Sequence, residues 1–200
     1  MKHLKKLREH FSHYPAFTMR DVKTFFSGKG LSAGYAQLLM HNLEKKGEIT
    51  RISNGNYTFW KDSLSAGFAF QPFYYGLQEA LSLRGLWEQE TNPIIITTRR
   101  VRSGLRTFGG NNFQIRRISR KMFFGFEPIR YYDNWLPVST PEKTLVDFAY
   151  FKQKMPKDAL EEIAEKIDEK KLRQMLQKTP EALAKKVLKT LLQVKKPTRT

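Results

Sequence analysis

Glu48-Ile49-Thr50-Arg51-Ile52-Ser53-Asn54-Gly55-Asn56-Tyr57-Thr58-Phe59-Trp60 is the stretch on which the reading of this chain turns. Two strand-like runs flank Asn54-Gly55, and a two-residue turn of that type needs positive φ at both central positions, which Asn and Gly tolerate best. A β-hairpin is therefore expected at 48–60. What precedes it fixes the class of module.

Leu4, Leu7 and Phe11 recur at helical spacing and predict a helix over 2–13, stopped by Tyr14-Pro15. Thr18 offers an N-cap hydroxyl with Asp21 three residues on, the spacing of a capping box. Val22, Phe25 and Phe26 supply the buried face of this second helix, and Gly28 and Gly30 break it. Ser32 caps a third helix over about 33–46 with Ala36, Leu39, Met40 and Leu43 inward and Gly47 at its end. Three helices followed by a hairpin is the order of a winged helix-turn-helix. In that module the third helix enters the DNA major groove. Its outer face would carry Tyr35, Gln37, His41 and Lys45 behind the capping Ser32, with Gln37 suited to adenine edges. The wing would present Arg51, Asn54 and Asn56 to the backbone or minor groove. The alternative use of such a module is protein binding.

Charge agrees with a polyanion partner. The chain carries 36 Lys and Arg against 19 Asp and Glu, a net charge of +17. The excess is spread, at +6 over residues 1–62, +4 over 63–150 and +7 over 151–200. Between Thr91 and Phe126 stand eight basic residues and no acid. Of these, Arg99, Arg100, Arg102 and Arg106 follow a β-branched run, and Arg116 and Arg117 lie on a further strand. Arginine favours bidentate contact with phosphate or carboxylate, so this patch suits DNA backbone, RNA or an acidic protein. Exposed arginines that guard a sheet edge are the bland alternative.

No apolar run approaches the roughly 20 residues of a bilayer span, and the N-terminus has no signal-like apolar region. With no cysteine in the chain, disulfides and thiolate chemistry are excluded. His3, His10, His13 and His41 lack nearby carboxylates, so no metal site is expected. A cytoplasmic protein without membrane contact is the expectation, and no cofactor is called for.

Beyond the hairpin, residues 61–72 read as a linker whose phenylalanines suggest that it packs down, and about Tyr74–Arg84 as a helix. Ile94–Thr98, Asn112–Ile118, Met122–Tyr132 and Leu136–Ser139 read as strands. Thr140-Pro141-Glu142 opens a helix with a cap, a first-turn Pro and an acid near the positive dipole end. From about Pro156 the chain is helical, and Leu183, Val187 and Leu191 form one stripe of the last helix; Lys195 and Lys196 lie off it. The fold class is α+β: a winged helix-turn-helix at 1–62, a mixed α+β domain at 63–152, and a helical extension at 153–200 packed on that domain. Catalytic chemistry is not apparent. A nuclease would need carboxylates clustered around a divalent metal, and Glu127, Asp133, Glu142 and Asp147 are the candidates, of which Asp133, Glu142 or Asp147 would have to meet in a cleft. Glu142 is expected to stabilise its helix start instead, and Asp147 to pair with an arginine.

The order of the hairpin module, Phe73–Leu81, Ile95-Ile96-Thr97 and Val138-Ser139-Thr140-Pro141-Glu142-Lys143-Thr144-Leu145-Val146-Asp147 resembles the AbiEi-type antitoxins of type IV toxin–antitoxin systems. The resemblance covers about residues 1–152, and Ser139–Asp147 is its most specific part. It implies a transcriptional repressor that binds inverted repeats in its own promoter through Ser32, Tyr35, Gln37, His41, Arg51 and Asn56. It also implies a second domain, with Arg99, Arg100, Arg102 and Arg106, that counters a neighbouring nucleotidyltransferase toxin without a stable complex. The alternative reading is a stand-alone regulator whose second domain senses a ligand.

Overall fold

The computed structural model describes residues 2–89 and 92–194. Thr91, at the head of the basic stretch, and Lys195, Lys196 and the Pro197–Thr200 tail lie outside them. The chain divides into two units, Met1–Gln71 with Leu105–Phe113, and Pro72–Gly104 with Gln114–Thr200.

In the first unit, α1 (Lys2–Phe11) buries Leu7 and Phe11, one helical turn apart. The two-residue strand β1 (Phe17–Thr18) leads into α2 (Met19–Ser27). The capping box forms as expected: the Thr18 N–H donates to Asp21 Oδ2 at 2.7 Å and the Asp21 N–H to Thr18 Oγ1 at 3.1 Å. In α3 (Ala33–Lys45) the Ser32 hydroxyl accepts the Tyr35 N–H at 3.2 Å, and Ala36, Met40 and Leu43 are buried. Gly47, at φ +68°, lets the chain reverse so that the Glu48 N–H reaches Leu43 O. The hairpin of β2 (Thr50–Ser53) and β3 (Asn56–Thr58) turns at Asn54-Gly55, but only Gly55 takes positive φ (+76°), so the turn is not the type expected with both central residues positive; the register of the two strands shifts between Arg51 and Ser53. β1 pairs antiparallel with β3, so the sheet order is β1-β3-β2. A bidentate bond from Arg8 to Glu48, at 2.7 and 2.8 Å, ties α1 to the segment entering the hairpin.

The segment 61–72 packs down, as its phenylalanines call for. Ser63–Phe70 winds as a 3-10 helix capped by Asp62, and Leu64, Ala66, Ala69 and Phe70 are buried. Its small residues permit close packing, and its phenylalanines gain more from burial than from exposure.

From Phe73 onward the strands are β4 (Phe73–Tyr75), β5 (Ile94–Thr97), β6 (Gly104–Phe108), β7 (Asn111–Arg117), β8 (Phe126–Tyr131) and β9 (Asn134–Ser139), in the order β6-β7-β5-β4-β9-β8. β4 runs antiparallel to β5 and parallel to β9, and β5 runs parallel to β7. The helix expected at Tyr74–Arg84 is shorter. α4 (Gln78–Leu83) starts only after Gly76 and Leu77, and Leu77 takes φ 56°. Phe73-Tyr74-Tyr75 is instead a strand between two others, where its backbone groups pair on both sides and its three aromatics are all buried. The strand expected from Met122 begins at Phe126, because Arg120–Met122 forms a 3-10 turn.

α5 (Pro141–Tyr150) carries Thr140 as its cap and Pro141 in its first turn. α6 (Lys157–Lys166), α7 (Glu169–Gln177) and α8 (Glu181–Val194) follow it, and Leu160, Ile163, Leu172, Val187 and Leu191 join the core that holds Leu145 and Phe148. Every residue of α5 from Glu142 to Ala149 is buried, so its polar side chains must find partners inside the unit. Gly125, at φ +75°, lies against this helix, and a Cβ there would stand 3.0 Å from Lys143 Cβ and from Met175 Cε. Gly125→Ala is therefore expected to destabilise the protein by about 1–3 kcal/mol through overpacking and a left-handed alanine, read as a lowered thermal midpoint.

Candidate functional site

Three groups of side chains stand out: the outer face of α3 with its hairpin, the arginines around β5–β7, and a polar cluster inside the second unit.

On α3, Gln37, His41 and Lys45 are exposed and follow one another at four-residue spacing, on the side away from the buried Ala36, Met40 and Leu43. Asn42 and Leu38 are exposed beside them, and Leu38 shows 55% of its surface. Asn42 is a further exposed amide absent from the set expected from sequence, one helical turn from Leu38 and from Lys45. The other residues of the set have local work. Ser32 spends its hydroxyl on the cap of α3. Tyr35 is half-buried, with its ring edge-on to Phe26 at 6.4 Å and to His3 at 6.1 Å.

On the hairpin, Arg51 is exposed but engaged. Its guanidinium reaches Glu44 and the Tyr57 hydroxyl, each at 3.2 Å. Asn56 donates to Ser53 Oγ at 2.9 Å and to Asn54 O at 3.2 Å, so its amide holds the turn. Asn54 is exposed at the tip. The exposed polar side chains are thus Gln37, His41, Asn42 and Lys45 on α3 and Asn54 on the hairpin, with Arg51 of the hairpin tied to Glu44 of α3.

Arg99, Arg100 and Arg102 are exposed between β5 and β6. Arg116 and Arg117 pair in register with Ile96 and Thr97, and the Arg117 N–H donates to Ser103 Oγ at 3.1 Å. Arg99, Arg100, Arg102 and Arg117 therefore gather at the end of the β5–β7 ladder. Arg106 belongs to the first unit, with its guanidinium 5.4 Å from the Phe70 ring centre. Arg116 is half-buried, and its Nε is buried with no hydrogen-bond partner among the described residues.

Asp147 pairs with a lysine rather than the arginine expected from sequence. Lys143, one turn earlier on α5, forms a short ion pair with it, and neither side chain has any exposed surface. The Tyr74 hydroxyl donates to the same carboxylate at 3.0 and 3.2 Å, and the Lys143 ammonium lies 5.5 Å from the Tyr74 ring centre and 5.2 Å from that of Phe124. Burial pushes the Asp147 carboxyl up, while the Lys143 charge, the Lys143 bond and the Tyr74 bond pull it down; burial wins. Burial, then the neighbouring carboxylate, holds the Tyr74 hydroxyl well above its ordinary range, so it stays a donor. With no exposed surface, the pair is closed to a substrate and works as the polar centre of the unit. Glu142 likewise serves structure: its Oε1 accepts the Asp168 N–H at 2.8 Å, at the entrance to α7. Asp133 is exposed beyond β8. Asp133, Glu142 and Asp147 do not converge, and no group of three or more histidines and acids able to hold a metal occurs among the described residues. No helix among the described residues is long and apolar enough to cross a membrane.

No family model matches this chain, and no curated protein matches it.

Proposed function

We propose that the chain is a DNA-binding transcriptional repressor with antitoxin activity, whose first unit acts as a winged helix-turn-helix and whose operator is an inverted repeat in its own promoter. One observation carries this reading. The exposed stripe of Gln37, His41 and Lys45 stands on α3, immediately before a glycine-turned hairpin, in a segment with a net charge of +6 over residues 1–62. In this role Gln37 and Asn42 read base edges, and Lys45 and the wing contact phosphate. Arg99, Arg100, Arg102 and Arg117 add backbone contacts. The antitoxin role follows from the AbiEi-type resemblance of Ser139–Asp147, and it works against a nucleotidyltransferase toxin without a stable complex. Within that motif the buried Lys143–Asp147 pair acts structurally, by fixing α5 in the second unit.

The test is fluorescence anisotropy with the chain's own upstream DNA and a scrambled duplex over a range of salt. Tight binding to the upstream DNA alone at physiological salt is the expected result. Equal, steeply salt-dependent affinity for both duplexes would reduce the basic surface to non-specific attraction.

A further inference from the structure

The second unit contains a cavity of about 630 Å³, lined by the end of α5, the segment that follows it, α6 and the last turns of α8. Its floor is apolar, with Phe148, Met155 and Leu160. Around it stand Lys152, Lys154, Lys157 and Lys186 against a single acid, Glu161, and that acid is already 3.6 Å from Lys157. The size falls within the range of small-molecule sites, and an apolar floor under a few polar groups is their usual lining.

Two further observations point to an occupant. Lys152 occupies the first position past the cap of α5 with φ 56°, a conformation in which glycine is favoured and a side chain is strained. Its N–H donates to Ala149 O, and the Gln153 N–H to Phe148 O at 2.9 Å, so the reversal itself is an ordinary helix ending. A glycine would make that turn with less strain, and the lysine found there is one of the residues that line the cavity. In addition, the Gln153 Oε1 is buried beside the cavity with no hydrogen-bond partner among the described residues.

We propose that this cavity binds a small organic anion whose flat or apolar body carries an N–H or O–H donor. The body covers Phe148, Met155 and Leu160, the donor satisfies Gln153, and a phosphate or carboxylate meets the lysines. Lysine suits such an anion as a mobile point charge. The site stands whether or not the first unit reads DNA.

The probe is 8-anilinonaphthalene-1-sulfonate, an anion with an aromatic body and one N–H, titrated into the full chain by fluorescence. One site per chain is expected. Lys152→Gly together with Lys154→Glu should weaken binding at least tenfold, and Lys152→Gly alone should keep or raise the thermal midpoint, which separates lost binding from lost folding. Leu188→Glu, in the shallow apolar groove of α7 and α8, should leave the affinity unchanged. Displacement by AMP would assign the phosphate source and displacement by indole-3-acetate the carboxylate source, while decanoate, which has no donor, should fail at the same concentration. Absence of saturable binding, indifference to the lysine changes, loss in Leu188→Glu, displacement by decanoate, or displacement by none of the three would each overturn the proposal.

Discussion

Lys143→Met is expected to cost about 3–5 kcal/mol at neutral pH, because it leaves the Asp147 carboxyl buried without its cation. For a chain of this size that lowers the thermal midpoint by about 10 °C. Methionine approximates the volume of the lysine stem, so a cavity does not account for the loss. Lys143→Met with Asp147→Leu should recover most of it, since replacing both members of a buried pair by apolar groups is often neutral or favourable. Calorimetry on the single and double variants checks both. A single variant as stable as the parent would mean that the pair contributes nothing to folding.

The pH dependence has a definite sign. A carboxyl whose folded pKa lies above its ordinary 3.8 holds a proton that the unfolded chain has released. Its contribution to stability is fully present below 3.8 and is lost as the pH rises through the folded value. In Lys143→Met the downward pull of the ammonium is gone, so the carboxyl rises further and the loss extends to higher pH. The gap between variant and parent should therefore widen from acid to neutral pH, as midpoints measured at several pH values would show. A gap that narrowed toward neutrality would contradict the direction assigned to Asp147.

Local chemistry explains which features are legible in the sequence and which are hidden. The Thr18–Asp21 box, the Ser32 cap, the Asn54-Gly55 turn and the Thr140-Pro141 start are settled by residues within a few positions of each other, and all four stand where the sequence places them, although at the turn only Gly55 and not Asn54 takes the expected positive φ. Tyr74 and Tyr75 read as helix because their strand state depends on β5 and β9, which lie about 20 and 60 residues downstream. β6 is hidden differently: of Gly104–Phe108 only Phe108 is buried, so no apolar run or alternation marks it. The Lys143–Asp147 spacing is visible as a helical pair, but burial of both charges is a property of α5 as it packs within its unit. On the candidate interface, exposure follows from helical spacing, while the local engagement of Arg51 and Asn56 does not.

Gln37→Ala, His41→Ala and Lys45→Ala bear on the proposed interface most directly, since all three side chains are exposed and their loss should leave the thermal midpoint in place. Loss of a bidentate base contact by Gln37→Ala should cost about 1–3 kcal/mol on upstream DNA and almost nothing on a scrambled duplex. Lys45→Ala should weaken both duplexes alike and reduce the salt slope by about one. Arg51 differs from Lys45 because Glu44 and Tyr57 already hold its guanidinium, so its contact needs little further ordering but competes with Glu44. Arg51→Ala should thus cost less than an unpaired arginine would, and Glu44→Gln should strengthen binding through the freed charge. The triple variant is expected to lose about a hundredfold or more on upstream DNA while keeping its non-specific affinity within about tenfold. Anisotropy on the same two duplexes measures all of these. A triple variant that still prefers upstream DNA would mean that α3 is not the reading helix, and would move the search to the arginines at the end of the β5–β7 ladder.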